Sequence, residues 1–222
     1  MRTLYQFIVA LFLSAVFIAC KKDDNPVVAT VPLTAITVSS LPAAPVSTTI
    51  ISTTATSTTS STGQQPVAPT GKFTLYNFKD NKTVANTDSA TNKWDVGFRS
   101  TTIIVNGGAI RSGQGGAYIY TGTFNDLTTV PTSATFAQDQ SPTQLAIATG
   151  AGNGWYNYNQ TTNILSPIPG RIFVIRTGDG KYAKMEIISY YQGAPATPDA
   201  NSAARYYTFR YIYQSDGSMT LR

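Results

Sequence analysis

The sequence predicts an all-β fold: a single antiparallel, β-sandwich-like domain with protruding hairpins and few or no helices. Three observations predict it. Residues 72–222 show no long helical periodicity and are divided into short runs rich in β-branched and aromatic residues. Gly, Pro, Asn and Asp punctuate those runs. Two runs contain an Asp-Gly pair, the dipeptide that supplies positive φ to tight hairpins.

Each element follows from its run. "FTLYNF" at 73–78 is the first strand. "KWDVGFRSTTIIVN" at 93–106 reads as two strands or one bent strand, with Gly97 permitting the bend. "GGAYIYTGTF" at 115–124 follows, then "NGWYNYN" at 153–159, where Trp155, Asn157 and Asn159 alternate with Tyr156 and Tyr158. "RIFVIRTGDGKYAKMEIISYY" at 171–191 is expected to be a hairpin turning at Asp179-Gly180. "RYYTFRYIYQSDGSMTLR" at 205–222 is expected to be another, turning at Asp216-Gly217.

Alternation locates the core, because successive strand residues point to opposite faces. Ala183, Met185 and Ile187 share an apolar face; Tyr182, Lys184 and Glu186 share the other, an exposed charge pattern. Tyr207, Phe209, Tyr211 and Tyr213 line one face of the last run, against Tyr206, Thr208, Arg210 and Ile212. Trp94, with Val96 and Phe98 close by, is expected in the core. Trp155, after a Gly-Asn-Gly turn, is expected nearer a ligand. The domain holds 12 tyrosines, whose rings pack like hydrophobes but keep a polar tip, which suits both a sandwich core and a ligand groove.

Two segments precede the domain. Arg2 and the apolar run Phe7 to Ala19, too short to span a membrane, end in "VFIAC". Residues 1–19 thus read as a lipoprotein signal peptide and Cys20 as the lipid-modified first residue of the mature chain. As the only cysteine, Cys20 leaves none for an internal disulfide. "KKDDN" at 21–25 resembles the surface-export signal of Bacteroidetes lipoproteins. Residues 25–71 contain no charged or aromatic residue and are rich in Thr, Ser, Pro, Ala and Val. Residues 20–71 therefore read as a lipid-anchored disordered tether, with a stray strand near 46–53 as its one exception. Together these features place the chain at the outer membrane, held by lipid through Cys20 and exposed at the cell surface.

Composition excludes several functions. The 13 Lys/Arg and nine Asp/Glu of residues 72–222 are too balanced and dispersed for nucleic acid. The absence of histidine removes the Ser-His-Asp triad and the imidazole base, and leaves zinc only unusual all-oxygen ligation. Glu186 is the only glutamate, Asp179 and Asp216 are turn formers, and Asp95 reads as a structural acceptor, so no pair of facing carboxylates stands out. Neither an enzyme nor a metal site is expected. "GGAIRSGQGG" at 107–116 lacks phosphate-loop spacing and reads as a mobile hairpin loop or lid, its Arg111 available to an anion.

The ordered set "KWDVGFRSTTIIVNGG", "GQGGAYIYTGTFNDLTTVPT", "GWYNYN", "GRIFVIRTGDGKYAKMEIISYYQG" and "YYTFRYIYQ" resembles the HmuY-type haemophore family of Bacteroidetes over nearly all of 72–222. The resemblance implies an all-β lipoprotein that takes haem from host proteins and passes it to an outer-membrane receptor. In the type member two histidines hold the iron. One position corresponds to a point near Gln160; the other lies in a hairpin whose counterpart here, 133–153, shows no ligand. Methionines serve in some relatives, but Met185 lies on an apolar strand face and Met219 matches no family ligand position. Gln160 is a poor iron ligand. The first expectation is haem or porphyrin held by burial of the macrocycle, by a tyrosine or methionine, and by cationic contacts to its propionates. Trp155, Tyr156, Tyr158, Gln160, Arg99 and Arg111 are the ligand-binding candidates. The alternative is a surface lipoprotein of the same fold that binds a protein partner, a glycan or another small molecule.

Overall fold

The computed structural model describes residues 33–43 and 71–222. The signal peptide, Cys20, the "KKDDN" run and the stretch near 46–53 lie outside the described residues. The strands are β1 (Ile36–Pro42), β2 (Thr74–Asn77), β3 (Lys82–Val84), β4 (Val96–Arg99), β5 (Thr102–Val105) and β6 (Gly116–Thr121). They continue with β7 (Tyr156–Asn159), β8 (Ile164–Pro167), β9 (Arg171–Arg176), β10 (Tyr182–Tyr191) and β11 (Ala204–Gln214). A 3-10 turn at Asn86–Asp88 is the one helical element among the described residues.

Every strand pairing is antiparallel. A five-stranded sheet runs β1-β11-β10-β9-β6, a four-stranded sheet runs β3-β2-β4-β5, and β7-β8 form a separate hairpin. The alternation read from β10 and β11 holds: Ala183, Met185, Ile187, Tyr207, Phe209 and Tyr211 are buried together. They meet Tyr76, Phe78, Val96 and Phe98 of the smaller sheet. Aromatic contacts join the layers, with Phe98 4.8 Å from Tyr207 and 5.3 Å from Phe209, and Tyr76 edge-on to Phe209 at 5.4 Å. Rings offset or edge-on at such spacings add attraction beyond the area they bury.

The other face of β10 and β11 is not the solvated surface the charges suggest. Ile172, Val174 and Ile212 form a second core with Phe124, Leu127, Val130 and Leu221. Lys184 is buried against it, donating to the carbonyls of Phe124 and Leu127 at 2.7 Å each and lying 4.5 Å from the Phe124 ring centroid. Burial, with a smaller effect from Arg210, lowers the Lys184 pKa. Leu221 belongs to this core because the chain leaves the sheet after the turn at Gly217 (φ +82°). The expected second hairpin therefore does not form. The tail bonds instead to residues 128–130, through Val130 N–H to Met219 carbonyl and Leu221 N–H to Thr128 carbonyl.

Two further expectations are corrected. Gly97 is not a bend: it lies within β4, where a Cβ would come within 2.8–3.1 Å of Ile104 and Leu75, and the chain reverses at Ser100 (φ +49°). Residues 36–43 are not tether. β1 closes the edge of the five-stranded sheet against β11, with a register shift between Val38 and Leu41 where Ser40 has φ +53°. Leu41 and Ala43 enter the main core. Ala43 donates its N–H to Arg205 carbonyl and accepts the Ser100 N–H, so it ties the two sheets together. Residues 33–43 thus belong to the same compact unit as 71–222.

Trp94 lies just before β4 and is buried, with its indole N–H donating to Ser89 carbonyl at 3.0 Å. Trp94→Ala is expected to cost about 3–5 kcal/mol. A thermal midpoint within a degree or two of the parent would contradict its core role.

Asp95 follows. Its buried carboxylate accepts the N–H groups of Phe78 (2.7 Å) and Gly178 (3.0 Å), joining the turns after β2 and β9. Burial outweighs these bonds and raises its pKa from 3.8 to about 6. The folded chain therefore binds this proton more readily than the unfolded chain between those two values. Linkage makes stability fall as pH rises through that window, by roughly 3 kcal/mol at 1.4 kcal/mol per tenfold change in proton affinity. Denaturant melts at pH 5 and 7.5 should show the parent more stable at pH 5, with a smaller difference in Asp95→Asn. A parent that loses stability on this acidification would refute the assignment.

Candidate functional site

The fold separates the six sequence candidates into two groups. Trp155, Tyr156, Tyr158 and Gln160 belong to the β7-β8 hairpin and the turn before it. Trp155 is buried, not open to solvent, with its ring 4.8–5.3 Å from Tyr156, Tyr190 and Tyr207, and its indole N–H donates to Thr101 carbonyl at 2.8 Å. An indole with a bonded N–H among three rings is a core group. Tyr156 packs half-buried on the same core. Tyr158 is exposed, with its hydroxyl bonded to Asn163. Gln160 is exposed in the turn, where Asn159 Oδ1 accepts the N–H groups of Thr161 and Thr162. The strand β8 was not anticipated, since "ILSP" offers no alternation.

Arg99 and Arg111 do come together, in a cleft of about 280 Å³. β4 ends at Arg99, whose guanidinium stacks over the Phe73 ring at 4.2 Å and donates weakly to Gly71 carbonyl at 3.4 Å. Arg111 reaches the cleft from the glycine-rich loop. Phe73, Ile104, Ile110 and Leu145 supply apolar walls, and Thr102 and Thr149 add hydroxyls.

That loop is packed tightly, and its glycines answer to close backbone approach. A Cβ on Gly107 would sit 1.9 Å from Gly115 carbonyl oxygen, and one on Gly108 2.2 Å from that of Asp139. Asn106 lies fully buried at its base, donating to the carbonyls of Thr91 and Trp94 and accepting the Gly113 N–H. The glycines at the ends of 107–116 are thus required by packing, while Ala109, Ile110 and Ser112 between them are exposed.

Asp139 is the residue that sequence reading missed. It is fully buried, and its two oxygens accept the N–H groups of Ala146 (3.0 Å) and Val105 (3.3 Å). Oδ2 lies 3.4 Å from the buried Nε of Arg111, outside hydrogen-bond geometry. One carboxylate thus fixes the neighbours of two cleft walls, Ile104 and Leu145, and stands behind the cleft's second cation. Burial raises its pKa, against the lowering effects of the Ala146 and Val105 amides and of Arg111. The available signal was its isolation: no other charged residue occurs between Asp126 and Arg171.

The donor set is poor for iron. Among the described residues no group of three or more His, Cys, Asp or Glu is placed to hold a metal. Met185 is fully buried on the core face of β10, as the alternation indicated, and Met219 is exposed near the C-terminus. Met185→Leu is expected to cost less than about 1.5 kcal/mol, as a volume-conserving swap. A loss well beyond that in denaturant melts would contradict a gap-filling role. Burial raises the pKa of Tyr76, Tyr190, Tyr207 and Tyr211, keeping these phenols protonated.

A family model described as HmuY protein matches residues 70–211. Among solved structures, the chain is similar to an apo HmuY analogue from Tannerella forsythia at 13% identity. That match covers 82% of this chain and 96% of the other, with a TM-score of 0.48. It is similar to a protein from Bacteroides vulgatus described as HmuY-like and haem-binding, at 15% identity over 64% of this chain and 84% of the other (TM-score 0.41). A Bacteroides fragilis protein described as a lipoprotein matches at 16% identity with the same coverage and a TM-score of 0.42. No curated protein matches the chain. Among the described residues no helix is long and apolar enough to cross a membrane.

Proposed function

The chain belongs to the HmuY family, and from that premise we propose that it is a surface-anchored carrier of haem or a related porphyrin, working without the paired axial ligands of the type member. The observation that carries this reading is the cleft in which Arg99 and Arg111 stand over apolar walls. Guanidinium groups pair with carboxylates through parallel N–H donors, and apolar walls suit a hydrophobic ring system. Small-ligand sites commonly enclose about 300–1,000 Å³. At about 280 Å³ this cleft accepts the carboxylate-bearing edge of a porphyrin and leaves the rest of the macrocycle outside. Propionate contacts and apolar packing of the inserted edge, not axial ligation, then carry the affinity.

The same volume favours a second reading, a smaller amphipathic carboxylate that fits the cleft whole. The test is titration of the full chain, in detergent and free of any histidine tag, with haemin and with metal-free protoporphyrin. The proposal expects comparable affinities for the two, no sharp low-spin Soret band, and at least about a tenfold loss in Arg99→Gln/Arg111→Gln. Much tighter haemin binding with a sharp low-spin band would establish an axial ligand and overturn the proposal. Binding of neither would leave the second reading.

Anchoring through lipid on Cys20, exposure at the surface and transfer to an outer-membrane receptor belong to the same proposal. Labelled fatty acid should enter the parent and not Cys20→Ser. Protease added to intact cells should release the domain; protection until the outer membrane is permeabilised would refute surface exposure.

A further inference from the structure

The loop 107–116 and the segment 138–140 also wall a second depression, of about 500 Å³, lined by Gly108, Ala109 and Gly113 with Gln114, Gln138, Gln140 and Arg176. Its chemistry differs from that of the arginine cleft. No side chain larger than alanine in the lining is apolar, and no carboxylate faces it. Three carboxamides and one guanidinium supply the polar groups.

We propose that this depression binds a saccharide that carries a carboxylate, a sugar of the uronic-acid type. Each glutamine amide offers two N–H donors and a carbonyl acceptor, the pairing that neighbouring sugar hydroxyls require. Gln138 spends an N–H on Gly115 carbonyl at 2.8 Å, which fixes the direction of its remaining groups. Arg176 is held on two sides: its Nε donates to Gln114 carbonyl at 2.7 Å, and its guanidinium lies 5.6 Å from the Phe136 ring centroid. With Nε committed, the terminal nitrogens are oriented in advance for a carboxylate, which lowers the entropic cost of pairing. The backbone is closely packed beneath it: a Cβ at Gly108 would meet Asp139 and one at Gly113 would meet Asn106, 2.4 Å from its carbonyl oxygen. An inorganic anion would leave the amide carbonyls unused, whereas a charged sugar uses the donors and the acceptors of the amides.

The inference does not rest on haem binding. Its test is calorimetric titration of the full chain in detergent with a tetrasaccharide of alternating glucuronic acid and N-acetylglucosamine. The controls are the uncharged N-acetylglucosamine tetramer and acetate. The charged tetrasaccharide is expected to bind, the neutral one at least about tenfold more weakly, and acetate not measurably. Arg176→Gln should weaken binding by about tenfold or more and Gln140→Ala by about threefold. Gln140 is exposed, so its truncation reads binding and not folding. Absence of heat with the charged tetrasaccharide would overturn the proposal. So would equal affinity for either control, or affinity unaltered in Arg176→Gln.

Discussion

A chain that begins at residue 72, where composition marks the domain boundary, is expected to be less stable than one that begins at residue 32 by about 3 kcal/mol or more. Loss of a buried Leu side chain such as Leu41 typically costs about 2–5 kcal/mol. The shorter chain also forfeits the bonds that Ala43 makes to Arg205 and Ser100, and the pairing of Ile36 to Pro42 with β11. In a domain of this size each kilocalorie lowers the thermal midpoint by about 2–4 °C, so the shift should be about 6–12 °C or greater. A second effect is expected as well. Without β1, the edge of β11 presents unpaired backbone groups over a strand rich in aromatic residues, a template for another copy. Light scattering should find the shorter chain partly self-associated and the longer one monomeric. Equal midpoints and equal masses would show that β1 is dispensable and that the boundary at 72 is physically sound.

Trp155→Ala is expected to be as damaging, at about 3–5 kcal/mol, the range for removing a large buried aromatic side chain. The indole packs the entry to the β7-β8 hairpin against Tyr190 and Tyr207, and its N–H bond to Thr101 reaches the turn beside the cleft residue Thr102. The truncation therefore leaves a cavity and an unanswered carbonyl together. Trp155→Phe separates the two, since it keeps most of the ring and loses only the bond, and is expected to cost about 1–2 kcal/mol. Ligand affinity should follow stability in this series and should not collapse in Trp155→Phe. If the Phe variant retains its midpoint but loses binding, Trp155 contacts the ligand after all.

The run "NGWYNYN" shows how far a sequence reads and where it stops. Alternation put Trp155, Asn157 and Asn159 on one face and Tyr156 and Tyr158 on the other, and β7 does form there. Which residue of the run would be covered depends on Tyr190, Tyr207 and Thr101, all distant in sequence, and nothing local encodes their approach. Arg99 and Arg111 were nominated separately, one from a strand and one from a loop. Only folding shows that they share a cleft, and that Asp139 stands behind one of them.

By itself the sequence determined the all-β class, the strands of the central hairpin and the apolar face of β10 and β11, because a strand's period of two is a local property written into consecutive residues. It also determined what the chain lacks: histidine and any thiol beyond Cys20. The tertiary structure alone decided the rest. Residues 36–43 differ little in composition from the residues around them, and they form a strand because β11 offers an open edge. Lys184 is buried because the 122–130 segment and the C-terminal tail close over a face that its own strand marks as polar. The glycines of 107–116 could have served flexibility or close approach, and the contacts of Asn106, Gly115 and Asp139 decide for close approach. In each case the deciding term is a contact between segments far apart in the chain, whose energy appears only when both are brought together.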